Sequence, residues 1–460
     1  MIFRFKGYDF DKSTFVANFY YADDNNLDYI ETIHFVKNEA FSAKLAPVLE
    51  RALDLSFLLI GTSYYKAHPT REVEFVDGMK NRVDRFGNRV SDKNKLVVSA
   101  KEFASGIDEF TAEFLNLVYH EGLSQFAFEN GLVYSDLAKF EANGKAAPSV
   151  KLPYERGGIL ALQSGGKDSL LTATMLNERG LDWTALYVGS TNHYPEILND
   201  LDAPVESILR QVDVEGLRFA SEYDGYKNGH VPVTYILMSL AVVQAVLDHK
   251  NFVITSIGHE GEEPHSIIED PTSVNLAVNH QWSKTWTAEK WFADYVHRYI
   301  SPEFMVGSII RGYSELKIAE LFTEKCWKRY GYRFSSCNVA NYRQKTDNSE
   351  LTWCGDCAKC ANSFLVFAPF VEPKELKELF GGKDLFTKSS LRDTFRGLLG
   401  VDGVEKPFEC VGEIEELRQA YEMRKKGYKK LPFNVPKHGD FDYNHTYEHQ
   451  KFVDAFFKLG

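Results

Sequence analysis

Residues Ser164-Gly165-Gly166-Lys167-Asp168-Ser169 have the types and order of an anion cradle. Two adjacent glycines let the backbone turn its N–H groups toward one point. The apolar run 158–162 before them reads as a buried strand, and 170–178 behind them reads as a helix. The turn therefore falls at a helix N-terminus, whose partial positive charge adds to the attraction. Phosphate is the ligand expected. The Walker arrangement differs, because it needs a longer loop with Lys directly before Ser or Thr; here Asp168 intervenes. The competing explanation is that Asp168 and Ser169 merely cap a helix after a glycine turn. The chain contains its own control: Gly381-Gly382-Lys383-Asp384 repeats four letters, but it follows a helical stretch at 375–380. Glycines in that position are expected to end a helix.

Sulfur makes a second constellation. Six cysteines stand at 326, 337, 354, 357, 360 and 410. Cys337, then Cys354-Gly355-Asp356-Cys357-Ala358-Lys359-Cys360, gives two consecutive CxxC spacings after an upstream thiol, which suits a tetrahedral zinc site of four cysteines. Iron–sulfur proteins use similar triples, but their CxxxCP continuation is absent. Free buried thiols are the plainer alternative. A zinc here is expected to be structural, a clip beside the cradle, with Cys326 and Cys410 left over.

Three further segments crowd polar side chains. Gly258-His259-Glu260 follows an apolar strand-like run at 252–257, which makes His259 and Glu260 candidates for substrate contact; a solvated acidic loop would look similar. In Asn279-His280-Gln281-Trp282-Ser283-Lys284, six hydrogen-bonding or ring side chains share one short stretch, as in a binding loop, although His280 alone could be structural. Arg311 precedes an amphipathic helix carrying Leu316, Ala319 and Phe322. Its guanidinium can pair with two oxygens of a carboxylate or phosphate, and a plain surface arginine is the alternative.

These groups need a scaffold that brings them together. Strands are expected at 159–163, 184–188 and 252–257, alternating with helices at 170–178 and 232–248. Such alternation predicts an α/β fold, a doubly wound parallel sheet with ligands at the carboxyl ends of its strands. A further strand between 204 and 226 is expected but cannot be placed. Residues 1–150 read as an N-terminal α+β domain with a buried strand at 57–60 running into a turn at Gly61-Thr62-Ser63. Residues 139–154 have linker composition. The nucleotide domain with its Cys-rich clip is expected over 151–370, and a helical C-terminal region over 371–460.

Composition bounds the function. The 460 residues are 44% hydrophobic and 26% charged, ordinary for a globular protein. With 53 basic and 65 acidic residues, the net charge of −12 argues against a nucleic-acid surface, while leaving room for small anions. No transmembrane stretch and no signal peptide are read in the chain, so a cytoplasmic protein is expected. Its oligomeric state is not legible.

The cradle resembles the SGGxDS signature of the ATP pyrophosphatase (PP-loop) superfamily, whose fold is adenine nucleotide alpha hydrolase-like and whose members split ATP between the α and β phosphates. That resemblance implies that the loop from Ser164 to Ser169 binds the nucleotide, with the N–H groups of Gly165, Gly166, Lys167, Asp168 and Ser169 holding the leaving diphosphate. Lys167 would offset its charge and Asp168 would act through Mg2+. Gly189, in Gly189-Ser190-Thr191, falls where the adenosine end would lie. Other blocks narrow the match: Gly61-Thr62-Ser63-Tyr64-Tyr65-Lys66, Asn228-Gly229-His230-Val231-Pro232-Val233-Thr234, Val278-Asn279-His280-Gln281-Trp282-Ser283-Lys284, Trp353 through Cys360, and Lys406-Pro407-Phe408-Glu409-Cys410-Val411-Gly412. Together they resemble the bacterial UDP-N-acetylmuramoyl-L-alanyl-L-glutamate epimerase family, with Trp282 in place of a more usual tyrosine.

Several expectations follow from this resemblance. The family inverts the terminal L-Glu of UDP-MurNAc-L-Ala-L-Glu for peptidoglycan synthesis, using ATP and Mg2+. Attack of the carboxylate on the α-phosphorus makes an acyl-adenylate, whose carbonyl can accept charge when the Cα proton leaves. Reprotonation from the other face and hydrolysis deliver D-Glu. Lys167 and Asp168 would serve adenylation, His280, Lys284, Glu260 and Cys410 are candidates for proton transfer, and His259, Glu260, Asn279 and Arg311 for substrate contact. Two rival readings remain: a PP-loop enzyme modifying a deazapurine or tRNA base, and a non-catalytic ATP-binding zinc protein.

Overall fold

The computed structural model describes residues 1–25, 27–79, 93–155, 157–343 and 350–447. Strands β1 (Ile2–Asp11), β2 (Val16–Ala22), β3 (Asp28–His34), β4 (Glu72–Phe75), β5 (Lys95–Ser99), β6 (Ile159–Leu162), β7 (Trp183–Gly189), β8 (Val205–Gln211) and β9 (Phe252–Thr255) join with a last strand, Met305–Ser308, in one sheet. Between them in sequence, β10 (Ser266–Ile268) and β11 (Leu276–Val278) form a separate antiparallel ribbon, so Met305–Ser308 is β12. The order in the large sheet is β12-β9-β6-β7-β8-β3-β2-β1-β4, with β5 also paired to β1. From β12 to β8 all neighbours are parallel. From β8 through β3 and β2 to β1 they are antiparallel. The result is a mixed α/β sheet in which the N-terminal strands continue the parallel part through the β3–β8 seam.

The strands read out the period of two that a sheet imposes. Leu160, Leu186 and Val253 face a core shared with helices Ala46–Ile60 and Val233–Leu247. Ile159, Ala161, Ala185, Tyr187 and Ile254 face a second core shared with helices Lys167–Glu178, Glu315–Lys325 and Ala358–Phe367. Burial on both faces explains why these strands are short unbroken apolar runs. The chain leaves β6 toward β7 and β8 on one side, then returns to β9 and β12 on the other. The crevice beside β6, where this direction reverses, is where an open α/β sheet accepts a ligand.

Two expectations for the N-terminal region are corrected. Residues 57–60 are not a strand but the end of helix Ala46–Ile60, and the turn expected at Gly61-Thr62-Ser63 is a continuation into helix Thr62–Tyr65. A short apolar run gives no period by which helix and strand can be told apart. Here Val48 through Ile60 is buried almost throughout, because the helix lies under the sheet and against Val233–Leu247. Gly61 is required by close approach, since a Cβ there would lie 2.5 Å from the Tyr119 hydroxyl and 2.8 Å from the Phe5 ring. The unplaced strand is β8. Residues 139–154 carry no regular element, yet Phe140 and Leu152 are buried and the Val150 N–H donates to the Ile300 carbonyl. The C-terminal region carries helices Pro373–Leu379, Arg392–Leu398 and Ile414–Met423, and Gly381 and Gly382, both at positive φ, follow the first. The part of that region from 448 to 460 lies outside the described residues.

Candidate active site

The loop 164–169 leaves β6 and enters helix Lys167–Glu178 with Gly166 in the N-cap position. Gly165 has φ +78, and a Cβ on it would lie 2.6 Å from Leu351 and 2.9 Å from Ile197. Both the left-handed backbone and the close packing exclude a side chain there. The loop is closed by Ser169, whose Oγ accepts from the Ser164 N–H at 3.3 Å and donates to the Gly166 carbonyl at 3.2 Å. The N–H groups of Lys167, Asp168 and Ser169 open the helix and have no intrahelical acceptor. Ile197 and Leu351 also line a cleft of about 320 Å3 beside the loop, with Tyr332 and Arg333 on its rim. Gly189 ends β7, the next strand over.

Charge is concentrated at the mouth of this loop. The Lys167 ammonium is buried and lies 2.8 Å from Asp168 Oδ1 and 3.2 Å from Glu315 Oε1. Burial opposes its charge, but Asp168 and Glu315 outweigh burial and hold its pKa up. For Asp168, burial acts to raise the pKa and Lys167 overrides it, with help from Lys284 and Lys359, so the carboxylate stays ionised. Lys284 sits 3.3 Å from Glu260 Oε2. Burial disfavours its charge, while Cys410, Glu260 and Asp168 together keep it protonated. Lys284 is thus felt at Asp168 in the glycine loop.

Cys410 Sγ lies 3.6 Å from His280 Nε2, and His280 Nδ1 lies 2.5 Å from Gln125 Oε1. The Gln125 amide nitrogen is committed to Glu129 at 2.7 Å, which turns the carbonyl oxygen toward the imidazole. Nδ1 must then carry the proton, leaving a lone pair on Nε2 for the thiol. Burial lowers the His280 pKa to about 4; Glu409 opposes this, and Lys284 and Lys359 reinforce it. The ring is therefore neutral near pH 7. Two more histidines stand close, His230 at 4.5 Å and His265 at 6.5 Å between ring centres, and burial lowers their pKa values to about 3 and about 4.

The four sulfurs of Cys337, Cys354, Cys357 and Cys360 lie within 4.8 Å of one another, with separations of 3.7, 3.7 and 3.6 Å among them. A regular tetrahedron with zinc–sulfur arms of about 2.3 Å has edges of about 3.8 Å, so the four thiols fit zinc. Backbone N–H groups of Ala340, Gly355 and Asp356 donate to these sulfurs, as suits thiolates. This cluster touches the site twice. Ser336, next to Cys337, packs against Gly166. Lys359, between Cys357 and Cys360, donates to the Cys410 carbonyl at 2.9 Å.

The remaining candidates divide. Asn279 Nδ2 holds the Gly261 carbonyl at 2.5 Å and its Oδ1 accepts from the Gln281 N–H, so it shapes the loop that carries His280. His259 stacks on Tyr447, ring centres 3.4 Å apart. Arg311 is fully buried: its fork grips Glu289 and donates to the carbonyls of Gly258 and Lys284 at 2.8 and 2.9 Å. It ties together the two loops bearing Glu260 and Lys284. Sequence reasoning missed Lys359, Glu315, Gln125 and Asn362, whose amide nitrogen donates to Glu315 and whose oxygen accepts from the Gly412 N–H. Lys359 and Glu315 stand inside segments that the motifs mark; Gln125 carries no signal of its own.

The large, mostly parallel sheet with helices packed on it defines, by architecture, a mixed α/β protein, with a glycine-turn loop at the reversal of its strand order and a four-cysteine cluster that could hold a metal. Comparison with known proteins is more specific. Residues 1–91 and 94–306 match the MurL N-terminal domain, and residues 333–433 the MurL C-terminal domain. The UDP-N-acetyl-alpha-D-muramoyl-L-alanyl-L-glutamate epimerase of Xanthomonas oryzae pv. oryzae is 31% identical over 419 residues, covering 91% of this chain and 84% of that one. Proteins of the same description from Micromonospora sp. and Salinispora tropica are each 31% identical over 90% of this chain, covering 84% and 82% of theirs. The chain belongs to the MurL epimerase family. Among the described residues, no helix is long and apolar enough to cross a membrane.

Proposed function

We propose that this protein is an ATP-dependent epimerase that inverts the terminal L-Glu of UDP-MurNAc-L-Ala-L-Glu, releasing AMP and pyrophosphate. The observation that carries the reading is a chain of contacts: Lys167 lies 3.2 Å from Glu315, Glu315 accepts from Asn362, and Asn362 accepts from the Gly412 N–H, two residues beyond Cys410 of the Cys–His pair. A group-activating loop and a proton-transfer pair thus share one site. The relatives' names supply the substrate, and this favours epimerisation over base modification or a non-catalytic role.

A carboxylate does not release its α-proton readily, because the product would be a dianion. Joining that carboxylate to the α-phosphorus, with pyrophosphate leaving into loop 164–169, gives a mixed anhydride whose carbonyl can take the charge. Lys167 and the open N–H groups of the helix start would grip the leaving diphosphate. Asp168 and Glu315, which already converge on one cation, would hold Mg2+, which shields phosphate charge when bound. The Cys410 sulfur, with neutral His280 accepting its proton, takes the Cα proton. The Lys284 ammonium returns one from the other face, and water then splits the anhydride into AMP and UDP-MurNAc-L-Ala-D-Glu.

The test is direct. Protein given ATP, Mg2+ and UDP-MurNAc-L-Ala-L-Glu should yield AMP, pyrophosphate and UDP-MurNAc-L-Ala-D-Glu in equal amounts, and ADP or no turnover would overturn the reading.

A further inference from the structure

Lys66 is a half-buried cation with no carboxylate within ion-pair distance among the described residues. Its ammonium donates to Asn228 Oδ1 at 2.6 Å and to the Gly229 carbonyl at 3.3 Å. The two cations nearest the glycine loop and the sheet seam are matched differently. Lys167 has Asp168 and Glu315, and Arg210 has the fully buried Glu31 at 2.6 Å. Glu129, which lies against Gly229, accepts from Gln125 instead. Burial, reinforced by the neighbouring Arg210, lowers the Lys66 pKa. Taking an ammonium partly out of water with only neutral acceptors around it is costly, and an anion is what would offset that cost.

Position gives this charge a use. Asn228 and Gly229 lead directly into His230, whose ring lies 4.5 Å from that of His280. Lys66 is also felt at His230. Lys66 is thus connected to the Cys410–His280 pair through the segment Asn228-Gly229-His230.

We propose that Lys66, held by Asn228 and Gly229, forms an anion subsite for a second oxyanion of the substrate, distinct from the carboxyl group that reacts. The subsite rests on the substrate reading above, which offers two such groups: the side-chain carboxylate of the terminal glutamate and the diphosphate of UDP. Both are oxyanions recognised by the same ammonium.

Calorimetric binding and turnover separate the sources. Lys66→Met should weaken binding of UDP-MurNAc-L-Ala-L-Glu by about 10- to 100-fold, the worth of a hydrogen bond to a charged group, while Lys66→Arg keeps most of the affinity. If the partner is the side-chain carboxylate, Lys66→Met leaves UDP-MurNAc-L-Ala-L-Gln binding unchanged. If it is the diphosphate, the Gln-ended ligand and UDP alone weaken equally. Equal affinity of native and Lys66→Met protein for all three ligands, with native turnover intact, overturns the subsite and leaves the epimerase reading standing. Native protein that neither binds nor converts the Glu-ended substrate overturns both. Thermal melting checks that each variant is folded, and Lys66→Gln replaces Lys66→Met if the latter is not.

Discussion

A thiol facing the bare nitrogen of a neutral imidazole is a proton acceptor in waiting, and at Cys410 that arrangement is set from three directions. Gln125 fixes the His280 tautomer, Lys359 holds the Cys410 backbone, and Lys284 supplies a nearby positive charge. Cys410→Ala should keep AMP release but lose solvent deuterium uptake at the glutamate Cα by about 100-fold or more, the usual worth of a positioned acid or base. Unchanged deuterium uptake in this variant, measured by mass spectrometry, would remove Cys410 from the proton path. A different residue, one of several buried carboxyls whose pKa burial raises, contributes to the pH behaviour. Asp54 is buried, and burial, opposed by the Tyr8 hydroxyl bond and aided by Glu50, raises its pKa to about 7. The folded state therefore holds a proton that the unfolded chain gives up near pH 4, so this group's stabilisation is present below that pH and is lost as pH rises through about 7. Asp54→Asn removes the ionisation. Its stability should fall by a few kcal/mol less than that of the native protein between pH 4 and 8, read from urea midpoints at the two values.

At the scale of elements, the four-cysteine cluster does more than close a loop. It pins Ser336 against the glycine turn and carries Lys359 to Cys410, so its loss should reach the chemistry. Treatment with a strong chelator, or Cys354→Ser, should lower the melting temperature and abolish AMP release together; metal analysis of the untreated protein should find one zinc per chain. Retained activity after complete metal removal would show that the cluster is not needed to place those two residues. The clip and the glycine loop are legible because each is written in consecutive letters with a fixed spacing. The pair formed by His280 and Cys410 is legible only as two separate candidates, since they stand 130 positions apart. Gln125 lies 155 residues from His280 and sits in a helix whose pattern signals nothing but burial. Arg311 stands out in the sequence for its fork, and the fork is used, but on Glu289; no sequence period distinguishes a ligand carboxylate from an internal one. Helix Ala46–Ile60 reads as a strand at its end because its burial on all sides erases the polar face by which helices are recognised.

At the scale of the molecule, the sheet is one object. The crevice that gathers loop 164–169 and the 258–265 loop exists because β9 returns to the side of β6 opposite β7, and the N-terminal strands extend the same sheet past β8. The two cores on its faces draw alternate residues from the same strands, so a disturbance on one face is transmitted to the other through a single layer. The β3–β8 seam is short, spanning Thr32 to His34 against Leu209 to Gln211, yet it is braced by the Arg210–Glu31 pair and by the His34 bond to Gln211. That seam also has a consequence during synthesis. The residues it joins are 177 apart, so at ribosomal speeds of about 5–20 residues per second the outer edge of β3 waits about 10 to 35 s for its partner. For that interval the nascent chain presents an uncovered strand edge, open to pairing with another chain until residues 209–211 have been made.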